Sequence, residues 1–350
     1  PSVVAAAIYA CAVFGAGGGF SASASGSEMG MQLFFSPERD SEYWRSWTEE
    51  NRNGLEALLG DASASMARRG GGFRELLFEE FQSDDRAFAK LTAYIDVRDA
   101  LGANMLNSCG ERMAEFVRHS TSLKPVMTIL TNSARRRLAE ASFRLKLAHL
   151  PRLRGEPANS PMERADRIVL ASDIAAADSD RAVTHNKGIM NGISALALAT
   201  ANDTRALEAA VHAWAARTGR YSSLSSYCIT EGPDGPLLEG RFSAPLPLAV
   251  VGGAVGFHPA ARAALRLMGN PDAAELSIIA ACLGLAQNFA ALLALTGEGI
   301  QAGHMRLHAR RIAFSAGARG EALEALAGRL HEEGDYTPAR AAELFAEGLA

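Results

Sequence analysis

The sequence lacks the features that would assign it to several common protein classes. Its four cysteines lie far apart, with no CxxC spacing: Cys11, Cys109, Cys228 and Cys282. We therefore expect neither a disulfide framework nor a structural zinc site, but reduced cysteines packed in the core, as in a cytoplasmic protein. The formal net charge is −4, without a long run of like charge. This balance gives no general attraction to nucleic acid or to an anionic membrane, so neither is expected as a partner.

The sequence also lacks the common dinucleotide and zinc motifs. The glycine triplets Gly17–Gly19 and Gly70–Gly72 do not form G-x-G-x-x-G, so a Rossmann domain is not predicted. His304 and His308 are four residues apart, but the glutamate of H-E-x-x-H is missing. We predict no metal site. A single histidine acting as a general acid fits this segment better, because imidazole titrates near neutrality.

Two apolar stretches resemble membrane segments without qualifying as such. The first, residues 1–20, has no basic n-region of the kind a signal peptide carries, and it is predicted to be an internal helix of an incomplete chain. The second, residues 276–295, is bounded or interrupted by Glu275, Gln287 and Asn288, which favours a buried helix in a soluble protein.

The periodicity of the sequence predicts a mixed organisation of helices and strands. A chain of 350 residues suits two or three domains. We predict strands at 73–82, 87–97 and 126–130 and within 21–35 and 220–250, and helices at 3–16, 41–68, 100–118, 160–177, 189–216, 259–268 and 272–298. Two or three amphipathic helices are expected beyond Gly299. Residues 27–135 thus read as a compact α/β module inserted into a more helical chain.

The segment from Arg181 to Asn191 is the most informative for chemistry. Its sequence, RAVTHNKGIMN, places Lys187 just before Gly188, where we predict a helix to begin. A helix N-terminus beside an ammonium group suits an anion or a developing oxyanion. The alternative is a polar N-cap loop in which His185 or Asn186 caps the helix.

Two aspartates stand out by their surroundings. Asp203 lies in an apolar run and would be costly to bury unless it were paired, and Lys187 is a natural partner. Alternatively, Asp203 ends one helix and caps the next. Asp99 leads from a predicted strand into Gly102, where close backbone approach would suit a nicotinamide or ribose contact. Asp99 could instead cap the helix that follows.

Six strings together resemble class II hydroxymethylglutaryl-CoA reductases, in the order of that family and across nearly the whole chain. They are PSVVAAA, DVRDALGAN, THNKGIMNGI, ALATANDTRALEAAVHAWAAR, VGGAVGFHP and GLAQNFAALLALTGEGIQAGHMRLHAR. The resemblance implies an α+β fold with a mainly helical large substrate domain (1–26 and 136–298). It also implies an inserted small ferredoxin-like cofactor-binding domain (27–135) and a C-terminal helical flap (299–350).

The resemblance further implies an activity and an assembly. The reaction is the interconversion of hydroxymethylglutaryl-CoA with mevalonate and coenzyme A, using two molecules of NADH or NADPH. The enzyme would be a cytoplasmic homodimer or higher oligomer with active sites at the dimer interface. The catalytic glutamate of the family directly precedes the Pro-Ser with which this sequence begins. The alternative is therefore an inactive or fragmentary relative that keeps the fold and ligand binding.

The resemblance also implies roles for individual residues. Lys187, Asp203 and His304 match the catalytic residues, with Asp203 holding the lysine. The positions that match the substrate pocket are Ser2, Asn132, Arg181, Thr184 and Asn191. The positions that match the cofactor site are Asp61, Asp99, Gly102 and Asn104. The local spacing around Asp61 departs from the family pattern, which leaves the choice between NADH and NADPH open.

Overall fold

The computed structural model describes the backbone of residues 2–151, 161–297 and 300–348, and the side chains of 4–151, 161–297 and 308–348. The helices are α1 Ser2–Ala16, α2 Ser41–Ala62, α3 Ala64–Ala67, α4 Ala103–Thr121, α5 Pro161–Ala177, α6 Ser179–Ala199, α7 Thr204–Ala215, α8 Pro259–Leu267, α9 Ala273–Leu295, α10 Ile300–Ser315, α11 Glu321–Glu333 and α12 Pro338–Ala346. The strands are β1 Ser21–Ser25, β2 Glu28–Phe34, β3 Gly72–Ser83, β4 Arg86–Asp96, β5 Met127–Thr131, β6 Leu138–Lys146, β7 Ser225–Gly232 and β8 Gly235–Pro245. The predicted α+β class is confirmed.

Each of the two sheets has four strands. We call the one in the larger part of the chain (1–26 and 136–298) the larger sheet, and the one in residues 27–135 the smaller sheet. The larger sheet packs against the long helix α9. Its four antiparallel strands follow the order β1, β6, β8, β7. Phe14 of α1, Phe143 of β6 and Phe289 of α9 meet in the core, with ring centroids 4.2, 4.8 and 5.7 Å apart. Helix α9 is long and apolar enough to cross a membrane, but most of it is buried inside the fold. The prediction of a buried core helix is confirmed.

Helix α6 packs on α9 with a glycine of each helix at the contact. A Cβ atom added at Gly284 would lie 2.7 Å from Cδ1 of Ile193, and one at Gly192 would lie 3.0 Å from Cγ of Leu283. Such distances leave no room for a larger side chain without movement of the neighbour. The inner face of α6 is thus fixed on α9, and its outer face is free of this contact.

The smaller sheet has the order β3, β4, β2, β5, and all its pairs are antiparallel. Helices α2 and α4 pack on it, and their buried side chains Trp44, Leu59 and Leu106 share a core with Met31 and Leu91 of the sheet. The succession β2-α2-β3-β4-α4-β5, apart from the short α3, is the ferredoxin-like arrangement. The predicted ferredoxin-like module is confirmed.

The smaller sheet is inserted between two neighbouring strands of the larger one. Ser25 at the end of β1 is opposite Leu138 at the start of β6. The chain therefore leaves and re-enters the larger sheet at adjacent positions.

The last three helices have a core of their own. Buried side chains of α10, α11 and α12 meet there, including Ala309, Leu326, Leu330 and Leu344. Helix α10 also contacts α9 and α1, which joins this helical unit to the rest of the protein.

Several predictions about local structure need correction. Strand β6 was not predicted, although its burial alternates as expected for a half-buried strand. The cysteines remain free, but Cys11 and Cys228 are exposed, against the expectation of four core cysteines. Cys228 is exposed because it points to the outer face of the larger sheet, where it lies opposite Glu239.

Candidate active site

The outer face of α6 carries four of the side chains that the sequence singles out. Arg181, Thr184, Lys187 and Asn191 are separated by three, three and four residues, so they follow one another along one side of the helix. The inner side is buried, with Ala182 and Ile189 fully shielded from solvent. A helix anchored along one side thus presents a guanidinium, an ammonium, a hydroxyl and an amide on the other.

Lys187 lies within α6 and not at its start. The helix begins at Ser179, where the side chain of Asp178 accepts a hydrogen bond from the backbone amide of Arg181 at 2.6 Å. The predicted helix start at Gly188 is therefore wrong, because this aspartate caps the helix about two turns earlier. Lys187 is not placed to use the amides of a helix N-terminus.

The ammonium group of Lys187 is exposed. Within the part of the chain that the structure describes, it forms no hydrogen bond or ion pair. A substrate oxygen could therefore bind it without first displacing a described protein group.

Asp203 does not pair with Lys187. Its carboxylate caps α7 by accepting from the backbone amides of Arg205 at 2.9 Å and Ala206 at 3.2 Å. It also accepts from the guanidinium of Arg205 at 3.3 and 3.2 Å. These hydrogen bonds, with that of the Arg205 side chain foremost, lower the pKa of the Asp203 carboxyl. The expected ion pair with Lys187 does not form. The capping alternative is found instead, because the first amides of α7 and the Arg205 guanidinium are nearer to Asp203 along the chain than Lys187 is.

The segment after β4 brings an uncapped helix to the junction of the two sheets. Gly102 stands at the N-cap of α4 with φ of 72°, and no side chain caps the helix. A Cβ atom at Gly102 would lie 2.5 Å from Cγ1 of Val97, so both the backbone angle and the packing require glycine. The exposed Asn104 follows in the first turn. The first amides of α4 are therefore open to an anion.

Asp99 connects this segment to helix α9, which packs on the larger sheet. Its carboxylate accepts from the amide of Ala273, the first residue of α9, at 3.0 Å. Its backbone oxygen accepts from the amide of Val250 at 3.0 Å. Asp99 therefore does not cap α4; it joins the end of the small sheet to the start of the central helix.

A buried arginine that the sequence does not single out completes this junction. The Arg137 guanidinium donates to the carbonyl oxygens of Ala100 at 3.1 Å and Leu248 at 2.8 Å. Burial lowers the pKa of Arg137 to about 10, while Asp96 and Asp99 oppose the shift. Arg137 is one of three consecutive arginines, and nothing in the sequence distinguishes it from the others.

The remaining predicted site residues are more scattered. Asn132 is exposed in the turn after β5, and Asp61 is exposed near the end of α2. Ser2 lies in α1 and His304 in α10, but their side chains lie outside the described residues. Helix α1 contacts both α6 and α9, and α10 contacts α1 and α9. The helices that carry Ser2, Lys187 and His304 therefore surround one central helix.

Comparison with known proteins places these features in a family. The family model described as hydroxymethylglutaryl-coenzyme A reductase matches residues 1–309. The chain belongs to the hydroxymethylglutaryl-coenzyme A reductase family. It is 38% identical over 327 residues to the 3-hydroxy-3-methylglutaryl-coenzyme A reductase of Archaeoglobus fulgidus, covering 93% of this chain and 71% of that protein.

Other members of the reductase family agree with this placement. The chain is 39% identical over 282 residues, or 80% of its length, to a probable reductase of Borreliella burgdorferi, of which it spans 62%. A solved structure of the class II reductase of Streptococcus pneumoniae, bound to NADPH in open conformations, is 37% identical. That structure superimposes with a TM-score of 0.79 and covers 100% of this chain and 83% of the other. The resemblance to class II reductases is confirmed.

In this reductase-family chain, the histidine next to Thr184 belongs to the core. His185 Nε2 lies 2.7 Å from Oγ of Ser225 and 3.0 Å from Nδ2 of Asn288. Tyr227 donates to the Asn288 amide oxygen at 2.8 Å. Burial, aided by the charge of Arg181, lowers the pKa of His185 to about 4, so its imidazole is neutral near pH 7. The suggestion that His185 caps a helix is wrong, because it lies inside α6.

Proposed function

We propose that this chain is a hydroxymethylglutaryl-CoA reductase, interconverting hydroxymethylglutaryl-CoA with mevalonate and coenzyme A by a four-electron reaction that uses two nicotinamide cofactors. The observation that carries this proposal is the polar outer face of α6, whose inner face is fixed on α9. Membership of the family supports it, as does the match to the NADPH-bound class II structure.

The side chains on α6 suit the substrate's charges. The Arg181 guanidinium can bind the free carboxylate of the hydroxymethylglutaryl group through two hydrogen bonds. The Lys187 ammonium can stabilise the negative charge that develops on the thioester oxygen, an effect that grows as water is excluded. Thr184 and Asn191, together with Ser2 and Asn132, would supply hydrogen bonds to the rest of the acyl group.

Loss of coenzyme A requires a proton donor. A thiol with a pKa of about 8.5 leaves more readily when protonated than as a thiolate. His304, on α10, is the proposed donor to the sulfur. Since α10 belongs to the helical unit with its own core, residues 299–350 would act as a flap that carries this histidine to the substrate.

The start of α4 suits a dinucleotide cofactor, whose nicotinamide would supply the hydride. The uncapped amides after Gly102 can bind a pyrophosphate. Asn104 lies in the same helical turn, and Asp99 fixes the segment by its bond to Ala273. Residues 27–135 would thus hold the cofactor, with Asp61 as a further contact, and residues 1–26 and 136–298 would hold the thioester.

Exposed apolar side chains on neighbouring helices support a homodimer. Val4 and Ile8 of α1 are 58% and 65% exposed, and Leu170 of α5 and Leu198 of α6 are 60% and 70% exposed. Large apolar side chains in such number on adjoining elements are typical of a subunit interface. We propose a homodimer or higher oligomer with active sites at this interface, located in the cytoplasm, where the free cysteines would stay reduced.

A direct assay tests the function. The full-length protein should oxidise NADH or NADPH when hydroxymethylglutaryl-CoA is added, with two cofactors consumed per mevalonate formed. Calorimetric titration with the thioester serves as the control for binding. Binding without cofactor oxidation would favour the inactive relative, and absence of both would overturn the proposal.

A further inference from the structure

The chain that follows β8 is bonded both to the turn joining α6 to α7 and to the segment that leads into α4. Residues 246–251, which we call the connector, belong to no helix or strand. Leu248 and Ala249 of the connector are buried. Buried backbone outside regular structure needs hydrogen-bond partners from other segments, because an unpaired amide or carbonyl destabilises the fold. The partners of the connector therefore show which parts of the molecule it joins.

Asn202 binds the connector from the α6–α7 turn. Its side-chain nitrogen donates to the carbonyl oxygen of Ala249 at 3.0 Å, and its side-chain oxygen accepts from the amide of Ala249 at 2.7 Å. The same nitrogen donates to Oγ1 of Thr200 at 2.9 Å, and the Asn202 side chain is buried. Both ends of one buried amide thus fix the connector to the turn, directly beside Asp203.

The connector is also bound to the segment that leads into α4. The buried Arg137 guanidinium donates to Leu248 of the connector and to Ala100 through two different nitrogens, at 2.8 and 3.1 Å. The amide of Val250 donates to the carbonyl oxygen of Asp99 at 3.0 Å. Asp99 and Ala100 come just before the uncapped start of α4.

Three consecutive residues of the connector are therefore bonded alternately to the two sites. Leu248 and Val250 are bound on the side of α4, and Ala249 between them is bound on the side of α6 and α7. Asn202 and Arg137 are the two side chains that make these bonds. The planar guanidinium of Arg137 holds two carbonyl oxygens in one fixed geometry, which the single ammonium of a lysine does not reproduce.

We propose that Asn202 and Arg137 are positioning residues, which act through the connector to hold the cofactor site and the substrate site in a fixed relative position. This inference rests on the proposed function, because it takes the start of α4 as the cofactor site and α6 as part of the substrate site. A misplacement of about 1 Å between reacting groups can lower a rate about a hundredfold, even when its cause lies far from them. In a two-fold symmetric homodimer, fixing the small module on its own chain also fixes it relative to the other subunit.

Single-turnover kinetics separate positioning from a merely structural role. The full-length protein, in excess, is mixed with hydroxymethylglutaryl-CoA and the reduced cofactor, and the loss of cofactor absorbance is followed. The rate constant reports hydride transfer, whereas the amplitude reports the fraction of folded, competent protein. We expect Arg137→Lys and Asn202→Asp to lower the rate constant at least about tenfold, with unchanged amplitude and unchanged cofactor affinity. Aspartate keeps the acceptor for the Ala249 amide and loses only the donor.

Arg164→Lys is the matched control for loss of a buried arginine. The Arg164 guanidinium is buried and donates to two carbonyl oxygens, those of Leu150 and Pro151. All three residues belong to the large part of the chain, so this arginine does not join the small module to it. The control should keep the wild-type rate constant. A lower amplitude at an unchanged rate constant in the two test variants, or an equal slowing in Arg164→Lys, would overturn the positioning role.

A double variant tests whether the two residues act through the same segment. Because both are bonded to the connector, Arg137→Lys/Asn202→Asp should slow hydride transfer by less than the product of the two single effects. A slowing equal to that product would mean that they act independently, which contradicts a shared route through the connector. Absence of cofactor oxidation in the wild-type chain would instead overturn the proposed function, and this assignment with it.

Discussion

The carboxylate of Asp203 accepts hydrogen bonds from the guanidinium of Arg205, two residues further along the chain, at 3.3 and 3.2 Å. Lys187, the cation expected from the sequence, makes no such contact. Asp203 thus has a structural task, capping α7, that is separate from any task in catalysis. Substitutions at this residue can measure the two independently.

Asp203→Asn should separate the effect of helix capping on stability from the effect of the carboxylate charge on turnover. Asparagine keeps a capping oxygen, so the free energy of unfolding should change little, whereas Asp203→Ala should lose about 1 kcal/mol. If the carboxylate orients the Lys187 ammonium during turnover, both variants should lose kcat by about a hundredfold or more. Urea unfolding and steady-state kinetics measure the two effects. Full activity in a stable Asp203→Asn protein would leave capping as the sole role of the residue.

Lys187→Ala should lower turnover without harming the fold. Removal of a transition-state donor costs about two to three orders of magnitude in kcat. Because the Lys187 side chain is exposed and has no described partner, the free energy of unfolding should change by less than about 0.5 kcal/mol. Lys124→Ala, another exposed lysine, is the control and should keep wild-type kinetics. Equal rates in the two variants would contradict a catalytic lysine.

Deletion of residues 299–350 should spare cofactor binding and abolish thioester reduction. The helices α10–α12 have their own core, so the larger and smaller sheets keep theirs when these helices are removed. Nucleotide binding measured by fluorescence titration should remain, while mevalonate formation is lost with His304. A truncated protein that still reduces the thioester would refute the flap.

Stability should depend on pH through His185. Burial holds its folded-state pKa at about 4, below the ordinary value of 6.5, so the unfolded chain binds a proton first as the pH falls. The stability contributed by the neutral imidazole is complete above pH 6.5 and is lost as the pH falls from 6.5 to 4. That loss amounts to about 3 kcal/mol.

A comparison with His185→Gln isolates this effect from other acid-sensitive groups. The variant has no imidazole to protonate, so its free energy of unfolding should fall less over the same pH range. Urea titrations at several pH values provide the measurement. Parallel pH profiles for the two proteins would show that His185 is not the group responsible.

The contact between α6 and α9 should be intolerant of a single methyl group. Gly284→Ala should destabilise the protein by about 1–3 kcal/mol, because the new Cβ would lie 2.7 Å from Ile193. Gly328→Ala in α11 is the matched control, since a Cβ there meets nothing within 4 Å. The control should be stabilised by up to about 1 kcal/mol, because alanine favours a helix interior. Thermal unfolding of the two variants should therefore shift in opposite directions.

The sequence predicted elements whose signals are local. Helix α9 follows from its apolar length, and the β3–β4 hairpin follows from alternation around a turn. Strand β6 was missed although its apolar and polar residues alternate, because two of the four buried positions are alanines, which are weak strand formers. Its partners β1 and β8 lie far away in the chain, so no adjacent hairpin turn marked it as a strand.

The candidate site could likewise be predicted from the sequence only in part. Lys187 and its neighbours on α6 could be found because they share eleven residues of sequence, Arg181 to Asn191. The junction formed by Arg137 and Asp99 could not, because its partners Leu248 and Ala273 belong to segments that meet only in three dimensions. The helix start was misplaced because an apolar interior glycine looked like a boundary, while Asp178 was the actual cap.

The pairing of Ser25 with Leu138 means that the whole ferredoxin-like module forms the connection between two neighbouring strands, β1 and β6. Residues 26–137 could in principle be replaced by a tight hairpin turn without changing the order of the strands. During synthesis, all of residues 26–137 emerge from the ribosome before β6, the partner strand of β1. Pairing β1 with β6 costs less conformational entropy once the residues between them have folded, because the ends of the loop are then already close. We therefore expect the inserted module to fold before β1 pairs with β6.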